Sequence, residues 1–143
     1  MPTRPPERDY SATPLAKKLG LLTTAKDPET SREIALLAAP EGFVDQLKDL
    51  PENLRFTKRL SPRTELALCF VRSARELGST ADLLAAQLPP SAHVWIIHPK
   101  AHHKPDFNQN HVRDAGLARN LVDYKVCSID DDWSALKFAW RKT

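Results

Sequence analysis

A single α/β domain with a mostly parallel sheet in three layers is predicted by three features of the sequence. Nearly unbroken apolar runs stand at 34–39, 66–71 and 94–97, the pattern of central strands buried on both faces. Segments with helical spacing of apolar residues follow each run, so strands and helices alternate. Two β-rich segments then close the chain, separated by Asp130-Asp131-Asp132, which reads as a hairpin. A chain of 143 residues fits one domain with its own core.

Taken in order, residues 1–9 are rich in proline and charge with hardly any apolar side chain, and read as a flexible tail before a single domain over 10–143. Thr13-Pro14 then opens a short docking helix with Leu15, Ala16 and Leu19 on its apolar side, closed by Gly20. Residues 23–32 are polar and lead as a loop into the first strand. Behind that strand, Phe43, Val44 and Leu47 recur at helical spacing, and Leu50-Pro51 ends the helix they predict. Residues 54–57 form a weak strand candidate and Ser61-Pro62-Arg63 a turn. The run 66–71 precedes a helix over 73–88 anchored by Leu77, Leu83, Leu84 and Leu88, with Gly78-Ser79-Thr80 a point where it could break. After the strand at 94–97, a His-rich loop leads to a helix starting near Asn108, with Val112, Ala115 and Leu117 facing inward. Strands over 121–129 and 133–140 complete the order.

A class I methyltransferase domain also ends with a helix and an antiparallel strand pair, so the outline resembles that Rossmann-like fold. In that arrangement 121–129 lies at the sheet edge, where outward charges on Asp123 and Lys125 would discourage edge pairing. A closer resemblance lies in local blocks. Tyr10-Ser11-Ala12-Thr13-Pro14-Leu15-Ala16, Leu37-Ala38-Ala39-Pro40-Glu41-Gly42-Phe43, Phe70-Val71-Arg72-Ser73, Pro99-Lys100, Val112-Arg113-Asp114-Ala115-Gly116-Leu117 and Leu121-Val122-Asp123-Tyr124-Lys125-Val126 occur in the order seen in the bacterial DUF3052 family. The chain is similar to that family over nearly its whole length after the tail. The resemblance implies no activity, since the family has none assigned. The polar 23–32 loop, without a glycine before the first strand, and the His-rich 101–110 segment depart from its pattern.

Nucleotide or S-adenosylmethionine (SAM) sites in such folds need glycines after the first strand and an acid after the second. Here the first turn is Ala39-Pro40-Glu41-Gly42, with a proline that has no N–H to offer and an anion where a pyrophosphate would sit. The second strand runs into Thr57-Lys58-Arg59-Leu60, which contains no acid. These residues argue against a conventional cofactor, and none is expected. Ligands in open α/β sheets bind beyond the carboxyl ends of the strands, where Glu41, Gly42, Arg72, Ser73, His98 and Lys100 converge as candidates to hold a small polar ligand or a partner's charged group. The structural alternative pairs Glu41 with Arg72 or Lys100 as an ordinary ion pair at a helix start.

Other chemistries find less support. His98, His102, His103, His111 and Asp106 match no established metal spacing, and solvated loop histidines are the expectation, with no metal. Asp130-Asp131-Asp132 lacks the spacing of a calcium loop and reads as a turn. Trp95, Trp133 and Trp140 read as core or sheet-edge aromatics. No G-x-S-x-G elbow surrounds Ser73, Ser128 or Ser134. With 21 Lys and Arg against 18 Asp and Glu in a mixed distribution, the charge of +3 does not point to nucleic acid. Cys69 and Cys127 sit among apolar residues, which fits a reducing compartment. No apolar run approaches the roughly 18 residues of a membrane span, so a cytoplasmic, non-membrane protein is expected. The expected function is a non-catalytic binding or interaction module using the strand-end surface; the alternative is a SAM- or nucleotide-binding enzyme with an unconventional site at the same place. The ligand, partner and oligomeric state have no signature in the sequence.

Overall fold

A computed structural model describes residues 14–22, 31–47 and 50–142. The expected tail and most of the 23–32 loop lie outside the described residues. Six strands form one sheet: β1 (Arg32–Leu37), β2 (Leu54–Thr57), β3 (Thr64–Phe70), β4 (His93–Pro99), β5 (Leu121–Ser128) and β6 (Trp133–Trp140), in the spatial order β2-β1-β3-β4-β6-β5. β2, β1, β3 and β4 run parallel, and β6 is antiparallel to both β4 and β5. The α-helices among the described residues are α1 (Leu15–Lys18), α2 (Ala74–Gln87) and α3 (Gln109–Leu117). No helix among the described residues is long and apolar enough to cross a membrane.

The central strands are apolar at consecutive positions because both their faces are covered. Ala67, Cys69, Val94, Ile96, Leu136 and Phe138 face the layer that holds Leu77, Leu84 and Val112 of α2 and α3. Leu66, Leu68, Phe70, Trp95, Ile97 and Ala135 point the other way, against Ala16, Leu19, Leu21, Phe43 and Leu47. The indole of Trp95 donates to the Leu19 carbonyl at 3.1 Å, fixing the end of α1 on this second layer. Arg32, buried at the start of β1, reaches the carbonyls of Gly20 and Leu21 and the carboxylate of Glu65.

Several local expectations are corrected. The segment behind β1 is not a helix but a single 3-10 turn, Val44–Gln46. Phe43 and Leu47 still turn inward, so the apolar spacing records burial without the length a stable helix needs. Gly78 does not break α2, which is continuous, capped by Ser73 Oγ accepting from Glu76 N. Leu117 is 37% exposed; Val112 and Gly116 are the buried residues of α3. Asp123 is paired with Arg113 of α3 at 2.9 Å rather than directed outward, and a register shift between Asp123 and Lys125 breaks the regularity of edge strand β5.

Candidate functional site

The strand order reverses at β1, whose neighbours β2 and β3 leave in opposite directions, so the crevice between the carboxyl ends of β1 and β3 is the switch point of the sheet. Beyond β1 the chain turns sharply. Ala38 takes φ +59° and Gly42 φ +83°, and the Phe43 N–H closes a turn onto the Pro40 carbonyl at 3.2 Å. The left-handed region is strained for alanine but open to glycine.

Arg72 spans the crevice. Its Nη2 donates to the Ala38 carbonyl at 3.0 Å, its Nη1 lies 3.8 Å from Glu76 Oε1, and its guanidinium stands 5.4 Å from the ring centroid of Trp133. The Glu76 carboxylate also accepts from the Arg72 backbone N–H at 2.9 Å. A recess of about 380 Å3 opens here, lined by Ala38, Phe70, Arg72, Arg75, Glu76, Ser79 and Thr80. Arg75 makes no ion pair among the described residues. On the other side of Ala38, a cavity of about 540 Å3 lies over the ends of β1 and β2, lined by Leu36, Pro40, Gly42, Phe43, Phe56 and Lys58 among others. A Cβ on Gly42 would meet nothing within 4 Å.

The six expected residues do not form one constellation. Arg72 faces the switch-point recess and Gly42 the larger cavity. Glu41 is exposed and pairs with neither Arg72 nor Lys100, which corrects the ion-pair alternative. Ser73 is the cap of α2 and borders a third recess with His103 and Lys104. Lys100 Nζ donates to Ser128 Oγ at 2.7 Å and its backbone N–H to the Asp132 carbonyl, so it fastens the end of β4 to the closing hairpin. His98 is only 3% exposed and so does not belong to the surface. Its Nδ1 lies 3.0 Å from the Pro99 carbonyl, while Nε2 has no hydrogen-bond partner among the described residues. Burial holds the His98 imidazole below its ordinary pKa, against the smaller upward pull of that carbonyl.

Sequence reading missed Ala38, Arg75, Ser79, Thr80 and Trp133. The hydroxyls and Arg75 could have been found by projecting α2 as a helix starting at the β3 end, since Arg72, Arg75, Glu76 and Ser79 then share a face. The left-handed Ala38 carries no signal in its residue type. The histidine set is also divided: His111 Nδ1 accepts from the Asn108 N–H in the cap of α3, and His103 reaches Asp132 instead. Both thiols are raised by burial, Cys69 to about 12, so neither is a ready thiolate nucleophile.

The cavity beside Gly42 does not supply the contacts a conventional SAM site requires. Pro40 removes a backbone donor from the turn, and Lys58 stands at the end of β2 where an acid would meet the ribose hydroxyls.

No family model and no curated protein matches the chain. Solved structures do share its fold. A TehB-like SAM-dependent methyltransferase from Corynebacterium glutamicum superposes with a TM-score of 0.54 at 6% identity, covering 89% of this chain and 87% of that one. LepI in complex with SAM gives 0.51 at 10% identity over 92% of this chain and 48% of LepI, so the chain spans about half of LepI's length. The Methanococcus jannaschii fibrillarin pre-rRNA processing protein gives 0.50 at 8% identity, covering 88% of this chain and 74% of that one. Identities this low speak to architecture alone. The chain has the Rossmann-like outline of the class I SAM methyltransferases.

Proposed function

We propose that this chain is a non-catalytic recognition module of the DUF3052 type, built on a methyltransferase-like sheet, that takes a carboxylate or phosphate group at the switch-point recess. The observation that carries this reading is Arg72, laid across the crevice and held by the Ala38 carbonyl, Glu76 and Trp133, with Arg75, Ser79 and Thr80 lining the same recess. A guanidinium offers five N–H donors in a planar fork, and those not turned to Ala38 and Glu76 remain to meet an anion. The Ser79 and Thr80 hydroxyls, one helical turn beyond Arg75 and Glu76, suit the oxygens of such a group. The strained Ala38, whose carbonyl orients Arg72, supports a functional role for this turn, because strain of this kind persists where surrounding contacts impose it.

A second reading is favoured by the cavity beside Gly42: its volume is that of a small-molecule pocket, and the fold is shared with SAM-dependent enzymes. In that reading SAM or a nucleotide binds over β1 and β2 by an unconventional mode. Thermal-shift titrations with SAM, ATP and inorganic phosphate separate the two, since a ligand selective for the folded state raises the melting temperature. Recognition at Arg72 requires a response to phosphate that Arg72→Glu abolishes and that Gly42→Val, strained at φ +83° and therefore read against its own ligand-free melting temperature, leaves. A response to SAM or ATP that Gly42→Val abolishes and Arg72→Glu leaves would replace it with the second reading.

A further inference from the structure

We propose that His102, His103 and Asp132 form an open binding site for a divalent transition-metal ion of the zinc, cobalt or nickel kind. One ligand atom from each of the three residues lies within 4.8 Å of the other two. His103 Nε2 is 2.7 Å from Asp132 Oδ1, and the rings of His102 and His103 stand 4.1 Å apart between centroids. Neighbouring ligand atoms around a tetrahedral ion with bonds near 2.1 Å are about 3.4 Å apart, so the cluster needs only side-chain adjustments to close on a metal.

The backbone already holds the two loops in register. The Lys100 N–H donates to the Asp132 carbonyl at 2.9 Å, while the N–H groups of His103 and Lys104 return to the Lys100 carbonyl at 2.9 and 3.2 Å. These bonds wind the segment after β4 into a turn that presents adjacent histidines on one side. Across from it, Asp130 Oδ1 accepts from the N–H groups of Asp132 and Trp133 at 2.8 and 2.9 Å, which fixes the backbone bend from which the Asp132 side chain projects. Of the two lysines that flank the histidines, Lys100 has its ammonium tied to Ser128, while Lys104 follows His103 directly and borders the same recess.

The donor set selects the ion. Two imidazoles and one carboxylate suit zinc, cobalt, nickel or copper, whereas magnesium and calcium demand oxygen ligands. On binding, the metal replaces the hydrogen between His103 and Asp132, and that proton passes to Nδ1 of the same ring or to solvent. All three residues are exposed, so the remaining coordination positions face water and are open to a further ligand. The ion would clamp the β4 end to the β5–β6 hairpin, at the residue that precedes Trp133, on whose ring Arg72 rests.

The test is titration of the untagged full chain with zinc chloride, read by calorimetry and thermal melting, and with cobalt chloride, read by visible absorption. The expected result is a zinc-dependent rise in melting temperature and cobalt bands of tetrahedral intensity. His102→Ala and Asp132→Asn should each weaken zinc binding by about tenfold or more, at least the loss seen when outer-shell partners of a metal are removed. Both positions are exposed, so the variants keep the fold; His111→Ala should retain the zinc response relative to its own metal-free baseline. No zinc binding, an equal response to magnesium, or full zinc binding in both His102→Ala and Asp132→Asn would overturn the proposal.

Discussion

β4 and β6 exchange seven residue pairs and bury Trp95, Ile96, Leu136 and Phe138, whereas β2 meets β1 over four pairs and the described residues of the connection between them contain one 3-10 turn. The first region is close-packed: a Cβ added at Gly116 of α3 would come within 2.3 Å of the Phe138 ring. The second is open: a Cβ at Gly42 would touch nothing. The contrast teaches that the two ends of one sheet are under different constraints. Residues near β6 are fixed by contact, and residues after β1 are fixed by backbone conformation and by what the cavity must admit.

The largest expected effect lies in the packed region. Phe138→Ala should cost about 3–5 kcal/mol in urea unfolding, the usual loss for a buried aromatic. Gly116→Ala should cost about 1–3 kcal/mol through overpacking, and less when combined with Phe138→Leu, because the two positions share one contact. Strict additivity of that pair would remove the close helix-to-sheet approach from the account.

In the open region the sign reverses. Ala38→Gly should stabilise the fold by about 1 kcal/mol by relieving a left-handed alanine. A destabilisation there would mean that the Ala38 methyl makes packing contacts that outweigh its strain. Gly78→Ala, in open space within α2, should also stabilise by about 1 kcal/mol or slightly less through helix propensity. A loss instead would show that Gly78 faces a bound group or partner.

The smallest effect is a pH dependence. His98 and His93 both have imidazole pKa values lowered, first by burial and in His93 also by Lys137. The unfolded chain therefore takes up protons at higher pH than the folded one. Stability that rests on keeping these rings neutral is complete above the unfolded value of about 6.5 and falls as pH drops through the lower folded values. The urea midpoint should decline between about pH 7.5 and 5.5, and decline less in His98→Asn; an identical decline in that variant would assign the effect elsewhere.

The strands were legible because burial on both faces leaves no polar position to interrupt 66–71 or 94–97, and the closing hairpin was legible from Asp130-Asp131-Asp132, whose first carboxylate does cap the turn. The segment behind β1 misled because Phe43, Val44 and Leu47 have helical spacing whether one turn forms or three. His98 misled because β4 is covered on both faces, so its ring is buried at either parity, while its residue type suggests a surface role. The pairing of His103 with Asp132 and the reach of Arg72 to Ala38 join residues 29 and 34 positions apart. Such contacts are products of tertiary register, which no local spacing encodes.

The most direct test of the central claim is an amide-resolved NMR titration of the full chain with inorganic phosphate and, separately, with SAM. The expected result is phosphate-dependent shifts at Arg72, Arg75, Ser79 and Thr80, with SAM leaving the spectrum unchanged. Shifts on adding SAM that gather at Ala39, Gly42, Phe43 and Lys58, with no response to phosphate at Arg72, would contradict it.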